Sequence, residues 1–435
     1  MKKRIKKVLF YLISLYLLFP FYIKVIAPLM SLAYYGLICA ILILKFKRAK
    51  EVILQSKLTK SSFFLFIVFD ILYFSIILLT SARNMDITFA KEFVGNLVIQ
   101  VKFFDIFLLF DDVYDNKYDK LYAFPKVVII YIITTCIFLL FPNFRLFWMD
   151  FIVQSEKNLE DAEIIRYITR FGLQGYSGYV CANITSLAMI VISYLIISKK
   201  EFNKNFGSMI TSALFILIGS FFYGRVALAV NFVIIFFTFL YMIFVQKDIK
   251  MLFVSLVLSF LVLFFFILGI NAEKGSPFYL WFNWVLEPVL NFLDGKGFSS
   301  ASTDSLKEMI YIPEEMTFIF GDGYYTDPVS GGYYKHTDSG IMRPLLYYGF
   351  FGIVLFYFLT FLLFSLLFTL KNISKTKLFF LFFVFSFSFI IYEIKGSVYT
   401  QFYGCLLYFI GCLMENNKYT KEIKYEKNFH YLKTY

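Results

Sequence analysis

Charge, histidine and cysteine are scarce in this chain. Only 17% of its 435 residues are charged, against roughly 25% in an average soluble domain, while 60% are apolar and 22% aromatic. So little charge cannot clothe a soluble domain, and a soluble fold is excluded. Two histidines, His336 and His430, cannot build a multi-histidine metal centre. The five cysteines, Cys39, Cys136, Cys181, Cys405 and Cys412, all fall in apolar stretches and offer neither a disulfide framework nor a CxxC metal pattern. No P-loop glycine–lysine pattern is present, so neither a metal nor another cofactor is expected. There is no internal repeat, which weighs against a secondary transporter built from inverted halves.

What the chain has is long apolar runs. A spanning helix needs about 20 mostly apolar residues, and the runs fall at 8–23, 25–44, 61–80, 87–110, 127–142, 176–198, 207–222, 226–246, 250–270, 344–370, 378–392 and 398–414. The run at 87–110 is the least regular, since it carries Lys91, Glu92, Lys102 and Asp105. MKKRIKK followed by an apolar run resembles a signal peptide, but no small-residue cleavage site follows and a retained first helix is expected. Positive charge sets the orientation. With the N-terminus inside, the inner segments hold 27 Lys and Arg and the outer ones 13. The expectation is an all-α integral membrane protein, a single polytopic domain over residues 1–435. It has about twelve transmembrane helices, both termini cytoplasmic, and two long extracytoplasmic loops, 143–175 and 271–343. The net charge of +12 is accounted for by inner-loop lysines, and no nucleic-acid partner is implied.

Arginine runs against lysine. Six of eight arginines, Arg83, Arg145, Arg166, Arg170, Arg225 and Arg343, fall on the outer side of this topology. Arginine is the side chain suited to a two-pronged grip on phosphate. Arg225 stands in FFYGRVAL, a short connection between two apolar helices. There it either snorkels to headgroups or clamps a substrate phosphate. Arg166 and Arg170 are four apart and share a face if that stretch is helical, with Glu160, Asp161 and Glu163 as local competitors for Arg166. Asp70 lies mid-span, where the charges of the fourth span can pair with it.

The larger loop contains PFYLWFNWVLEPVLNFL (277–293), read as a helix on or dipping into the bilayer. A short helix from Ser300 to Ile312 follows, with Thr303 or Asp304 as N-cap. The Gly- and Tyr-rich FGDGYYTDPVSGGYYKHTDSG after it must be irregular. Asp338 and His336 precede the tenth helix and Arg343 opens it. Asp338 either caps the helix or, like His336, serves as a general base at the membrane surface.

This layout resembles the Wzy-type O-antigen and capsular polysaccharide polymerases and the superfamily they share with O-antigen ligases. The resemblance rests on the helix count, the two long outer loops, and local elements. These are Arg170 with Gly172 and Gly175, the Gly224–Arg225 turn, Phe320-Gly321-x-Gly323, and Asp338-Ser339-Gly340 through Gly349-x-x-Gly352. Ligases of the superfamily carry a histidine ten residues before the glycine at this last place; here that region holds Asp338, with His336 two residues earlier, which favours a polymerase. The resemblance implies a metal-independent glycosyltransferase in the bacterial cytoplasmic membrane, active on its extracytoplasmic face. Its substrate would be an undecaprenyl-pyrophosphate-linked oligosaccharide, its surroundings membrane lipid, and its partners a chain-length regulator and a flippase. It implies Asp338 or His336 as catalytic, Arg225, Arg170, Arg343 and Arg166 on pyrophosphate, and Tyr324, Tyr325, Tyr333 and Tyr334 as faces for sugar rings. The alternatives are an O-antigen ligase and, in a different class, a flippase of lipid-linked sugars.

Overall fold

The computed structural model describes residues 2–54, 57–154, 171–176, 178–199, 206–248, 266–370 and 373–413. Every expected span within them overlaps a helix, although the helix over 8–23 stops at Leu18, and the span expected at 250–270 lies almost entirely outside them. In chain order the helices are α1 (Lys2–Leu18), α2 (Ala27–Leu44), α3 (Phe46–Leu54), α4 (Lys57–Asn84), α5 (Thr88–Asp111), α6 (Lys117–Leu140), α7 (Pro142–Phe151), α8 (Tyr179–Ile197), α9 (Phe206–Tyr223), α10 (Arg225–Leu240), α11 (Pro277–Leu293), α12 (Ala301–Met309), α13 (Glu315–Phe320), α14 (Met342–Phe364), α15 (Lys375–Lys395) and α16 (Tyr399–Leu413). Among the described residues nine helices are long and apolar enough to cross a membrane. The protein is all-α and membrane-embedded, which suits a bilayer because a helix satisfies its own backbone polar groups where no water can.

The centre of the bundle is made by α8 and α16. Every residue from Cys181 to Ile197 is buried, and so is all of α16. Helices α6, α9, α10 and α15 surround α8, while α5 lies along α16. Small residues permit the α5–α16 approach. A Cβ on Gly404 would lie 2.5 Å from the Phe103 ring, and one on Gly411 3.0 Å from Phe107, so each glycine receives a phenyl ring. Hydroxyls tie helices together where water is absent: Thr135 with Tyr223 at 2.7 Å, Ser186 with Tyr392 at 2.9 Å, and Thr360 with Tyr403 at 2.6 Å.

The irregular span α5 lies inside the bundle, with Gln100, Lys102 and Asp105 all buried. Asp70 is met by Gln100, whose Nε2 donates to its carboxylate at 3.1 Å. A neutral amide takes the place expected for a charged partner. At the far end of α5, Asp111 sits between Arg48 and Lys120, each 2.5 Å away, and Asp112 is paired with Lys6 and Lys45. This cluster binds α1, α3, α5 and α6 at one end of the bundle. It also explains why α6 begins at Lys117, ten residues before the expected span: the buried Lys120 ammonium has its counter-ion. The opposite end of α5, about 36 Å away for a 24-residue helix, carries the two long loops.

There the first loop folds into α7 and a two-residue hairpin, Phe171–Gly172 against Gly175–Tyr176, stapled by Trp148 Nε1 donating to the Leu173 carbonyl at 2.8 Å. In the larger loop α11 is continuous through Pro288. The next helix, α12, is capped by Ser300 in a reciprocal box with Thr303. Expectation had placed the cap at Thr303 or Asp304; Ser300 takes it because its extended backbone and hydroxyl reach the Thr303 amide while Thr303 returns the bond.

Candidate functional site

The site is framed by a break in α14. Gly349 has φ +77° and ψ −178° inside the helix, a conformation that glycine reaches without cost. The break frees the carbonyls of Leu346 and Tyr347, which accept from Asp322 N at 2.6 Å and Gly323 N at 3.2 Å. Gly321, at φ +69°, lies so close that an added Cβ would be 2.5 Å from both Gly349 N and Tyr347 O. The Phe320-Gly321-x-Gly323 element is thus a docking strip for the broken helix. Arg83 grips it with both prongs, Nη1 donating to Phe320 O at 2.8 Å and Nη2 to Gly321 O at 3.2 Å. Asn84 adds a bond to the Asp322 carbonyl. Asp86 accepts from the backbone of Thr88 at 2.9 Å and of Tyr325 at 2.8 Å. Burial works against the Asp86 charge, but the bonds from Thr88, Tyr325 and Thr326 outweigh it and hold the carboxyl below its ordinary range. The same balance holds for Asp322, where bonds from Thr317, Lys335 and Tyr334 prevail over burial.

The second frame is the turn between α15 and α16. Ser339 Oγ donates to Ile394 O at 2.9 Å and accepts from Met342 N at 3.4 Å, so Ser339 ties the start of α14 to that turn. Asp338 is therefore not the cap. Gly340 is pressed on the turn, and a Cβ there would lie 2.6 Å from Glu393 O and 2.7 Å from Glu393 Oε2. Glu393 is buried and accepts from Val398 N at 2.7 Å through Oε1, while Oε2 has no hydrogen bond among the described residues.

Between the frames lies a cavity of about 590 Å³. Its charged lining is Glu92, Arg225, Asp338, Arg343 and Lys395, and its tyrosines are Tyr179, Tyr223, Tyr325, Tyr333 and Tyr399. Arg225 opens α10 directly after Gly224. Its Nη1 lies 2.6 Å from Glu287 Oε2 on α11, and its guanidinium lies 5.1 Å from the Trp284 ring centre. Arg343 sits between two rings, 3.8 Å from Tyr325 and 4.4 Å from Tyr333. Among the described residues its buried Nε has no hydrogen-bond partner. Burial pushes the Tyr325 hydroxyl well above the usual phenol range despite the opposing Arg343 charge, so the ring stays neutral. A larger groove of about 690 Å³ between α10 and α15, lined by Phe237, Phe244, Phe379 and Phe383 among others, has almost wholly apolar walls.

Of the sequence-derived site residues, Asp338, Arg225, Arg343, Tyr325 and Tyr333 meet at this cavity. His336 is exposed, in a left-handed backbone at φ +55°, and is not among the lining residues. Tyr324 and Tyr334 pair with each other at 5.5 Å beside the cavity, and Tyr334 donates to Asp322 at 3.0 Å. Arg166 and Arg170 lie outside the described residues. Sequence reasoning missed Glu92, Asn96 and Lys395 as lining groups, and Glu287 as the carboxylate on Arg225. The only signal for Glu287 was an acid inside an otherwise apolar, Trp-bearing helix.

The arrangement can hold an anion on its guanidinium and ammonium groups and accept a proton on Asp338, a carboxylate with no hydrogen bond or ion pair among the described residues. Tyrosine faces beside these groups suit the apolar faces of sugar rings. Family models, curated proteins and solved structures yield no match to the chain.

Proposed function

We propose that this chain is a membrane glycosyltransferase that polymerises lipid-linked oligosaccharide repeat units. It would move the growing glycan from undecaprenyl pyrophosphate to the non-reducing end of an incoming lipid-linked unit. In this reading the chain crosses a bacterial cytoplasmic membrane about twelve times, with both termini inside and the cavity on the extracytoplasmic face. A chain-length regulator and a flippase act beside it.

The observation that carries the reading is one polar cavity lined by the Asp338 carboxylate together with Arg225, Arg343 and Lys395. The chemistry needs those groups. The acceptor hydroxyl oxygen forms a bond to the anomeric carbon, the bond from that carbon to the pyrophosphate oxygen breaks, and the electron pair leaves with the pyrophosphate. Asp338 takes the hydroxyl proton. Arginine and lysine stabilise the charge growing on the leaving group without help from a metal. The energy comes from the lipid pyrophosphate itself.

The test is the surface-polysaccharide gel profile after deletion of the gene, with complementation by the intact chain and by Asp338→Asn. Lipid core bearing a single repeat unit, with the long ladder gone, is the expected result. Loss of all repeat-bearing core points to the ligase or flippase reading, and an unchanged ladder removes the proposal.

A further inference from the structure

Four groups from three parts of the chain touch in succession, three of them lining the cavity. Phe89, on the first turn of α5, stacks on Tyr325 with ring centres 3.9 Å apart and planes 10° from parallel. The Arg343 guanidinium carbon lies 3.8 Å from the far side of that arrangement, at the Tyr325 ring, and 4.4 Å from the Tyr333 ring. Phe89 is 2% and Tyr325 4% exposed, whereas Tyr333 is 49% exposed. The inner layers are therefore fixed in the protein and the outer one is open. Glu92, one turn along α5, lies beside the Tyr325 hydroxyl, so the same helix face sets both the plane of the ring and its direction.

A guanidinium is planar, and its faces prefer aromatic rings while its N–H groups point outward in its own plane. With rings on it, Arg343 has only its rim to offer. We infer that the Phe89–Tyr325–Arg343–Tyr333 stack is an edge-on anion receptor, in which Tyr325 and Tyr333 are positioning residues and Arg343 takes two coplanar anionic oxygens of a phosphate or a sugar carboxylate. Rigid presentation removes the rotamer entropy that a free arginine would lose on binding, and the fork gives two charge-assisted hydrogen bonds. This rests on the glycosyltransferase reading for the source of the anion, either the carrier pyrophosphate or an acidic sugar of the repeat unit. The stack itself does not depend on it.

The experiment is calorimetric titration of the purified full chain in detergent with inorganic pyrophosphate and, separately, with galacturonate. At least one is expected to bind, and which one does so distinguishes the carrier from an acidic sugar. Arg343→Lys should weaken that binding about tenfold or more, since it keeps the charge and loses the fork. Tyr325→Leu can disturb folding because Tyr325 is buried. Tyr333→Leu removes the exposed layer and is expected to weaken binding several-fold. Tyr333→Phe and Tyr333→Trp, which keep a flat ring, should restore it. Leucine binding as well as the ring variants would overturn the positioning role, and binding unchanged in Arg343→Ala, or absent for both probes, would overturn the receptor. Because these readouts are affinities, an unchanged polysaccharide ladder after deletion of the gene would remove the polymerase reading while leaving the receptor standing.

Discussion

Gly321 and Gly349 meet backbone to backbone, both at positive φ, with no room for a methyl group on either. The loop that delivers Tyr325 to the cavity is anchored at this contact. Gly349→Ala places a Cβ 2.3 Å from the Ile319 carbonyl in a backbone region that costs a non-glycine residue about 1–3 kcal/mol even without a clash. The expected outcome is a marked fall in thermal stability in detergent and in the amount of protein reaching the membrane. An alanine variant as stable as the parent would mean that the break is not held by this contact.

Arg83 is one of the six arginines expected on the outer side, yet both of its prongs are spent on backbone carbonyls. Arg83→Ala should cost about 2 kcal/mol, the worth of such charged hydrogen bonds, and polysaccharide made per surviving molecule should stay near normal. Loss of activity with full stability would reassign Arg83 to the substrate.

Asp338 and His336 are two residues apart, but only Asp338 lines the cavity. Asp338→Asn should reduce polymerisation by about 100-fold or more, the usual worth of general acid–base assistance, while His336→Ala leaves the ladder intact. The comparison is made on gels at matched protein levels, and the opposite ranking would move the base to His336.

Asp86 and Asp322 should make the loop's docking acid-sensitive. Both carboxyls are held below their ordinary range in the folded chain. Their contribution is therefore fully present above the unfolded carboxylate pKa of about 3.9 and is lost as pH falls through the folded values. Thermal stability should drop as pH is lowered below about 4, and Asp86→Asn with Asp322→Asn should flatten that drop. An unchanged acid limb in the double variant would place the sensitivity elsewhere.

Arg225→Ala is expected to abolish long chains with the protein still in the membrane, and Arg225→Lys to rescue only partly, because lysine lacks the fork. Glu287→Gln, which removes the competing carboxylate, should lower the substrate concentration needed for half-maximal rate. Normal chain lengths in Arg225→Ala would end the clamp assignment.

The helices were legible because a bilayer demands long apolar runs, and the irregular Gly–Tyr stretch because glycine and tyrosine could not continue one. The polarity of α5 was harder to read. Its charges look misplaced in one dimension, and only packing shows that Asp111 answers Arg48 and Lys120, and that Gln100 answers Asp70. The start of α6 was obscured for the same reason. At the cavity, Asp338, Arg225 and Arg343 stood out as polar residues where apolar runs end. Glu92 stood out only as one of the charges inside the 87–110 run, with nothing to tie it to a cavity, and Lys395 did not stand out because a snorkelling charge at a helix end is ordinary. The glycine motifs were visible as motifs, but their purpose was not. Gly321 serves Gly349, and Gly340 serves the Glu393 turn, across sequence separations that spacing alone cannot bridge.

Glu287 has two oxygens and two duties: one faces Arg225 and the other accepts from the Ala301 amide at 3.0 Å. An anion that draws Arg225 away therefore unsettles the carboxylate that also steadies the first turn of α12. The opening of α10 and the first turn of α12 are thus tied through a single side chain of α11, and neither contact can change without the other feeling it.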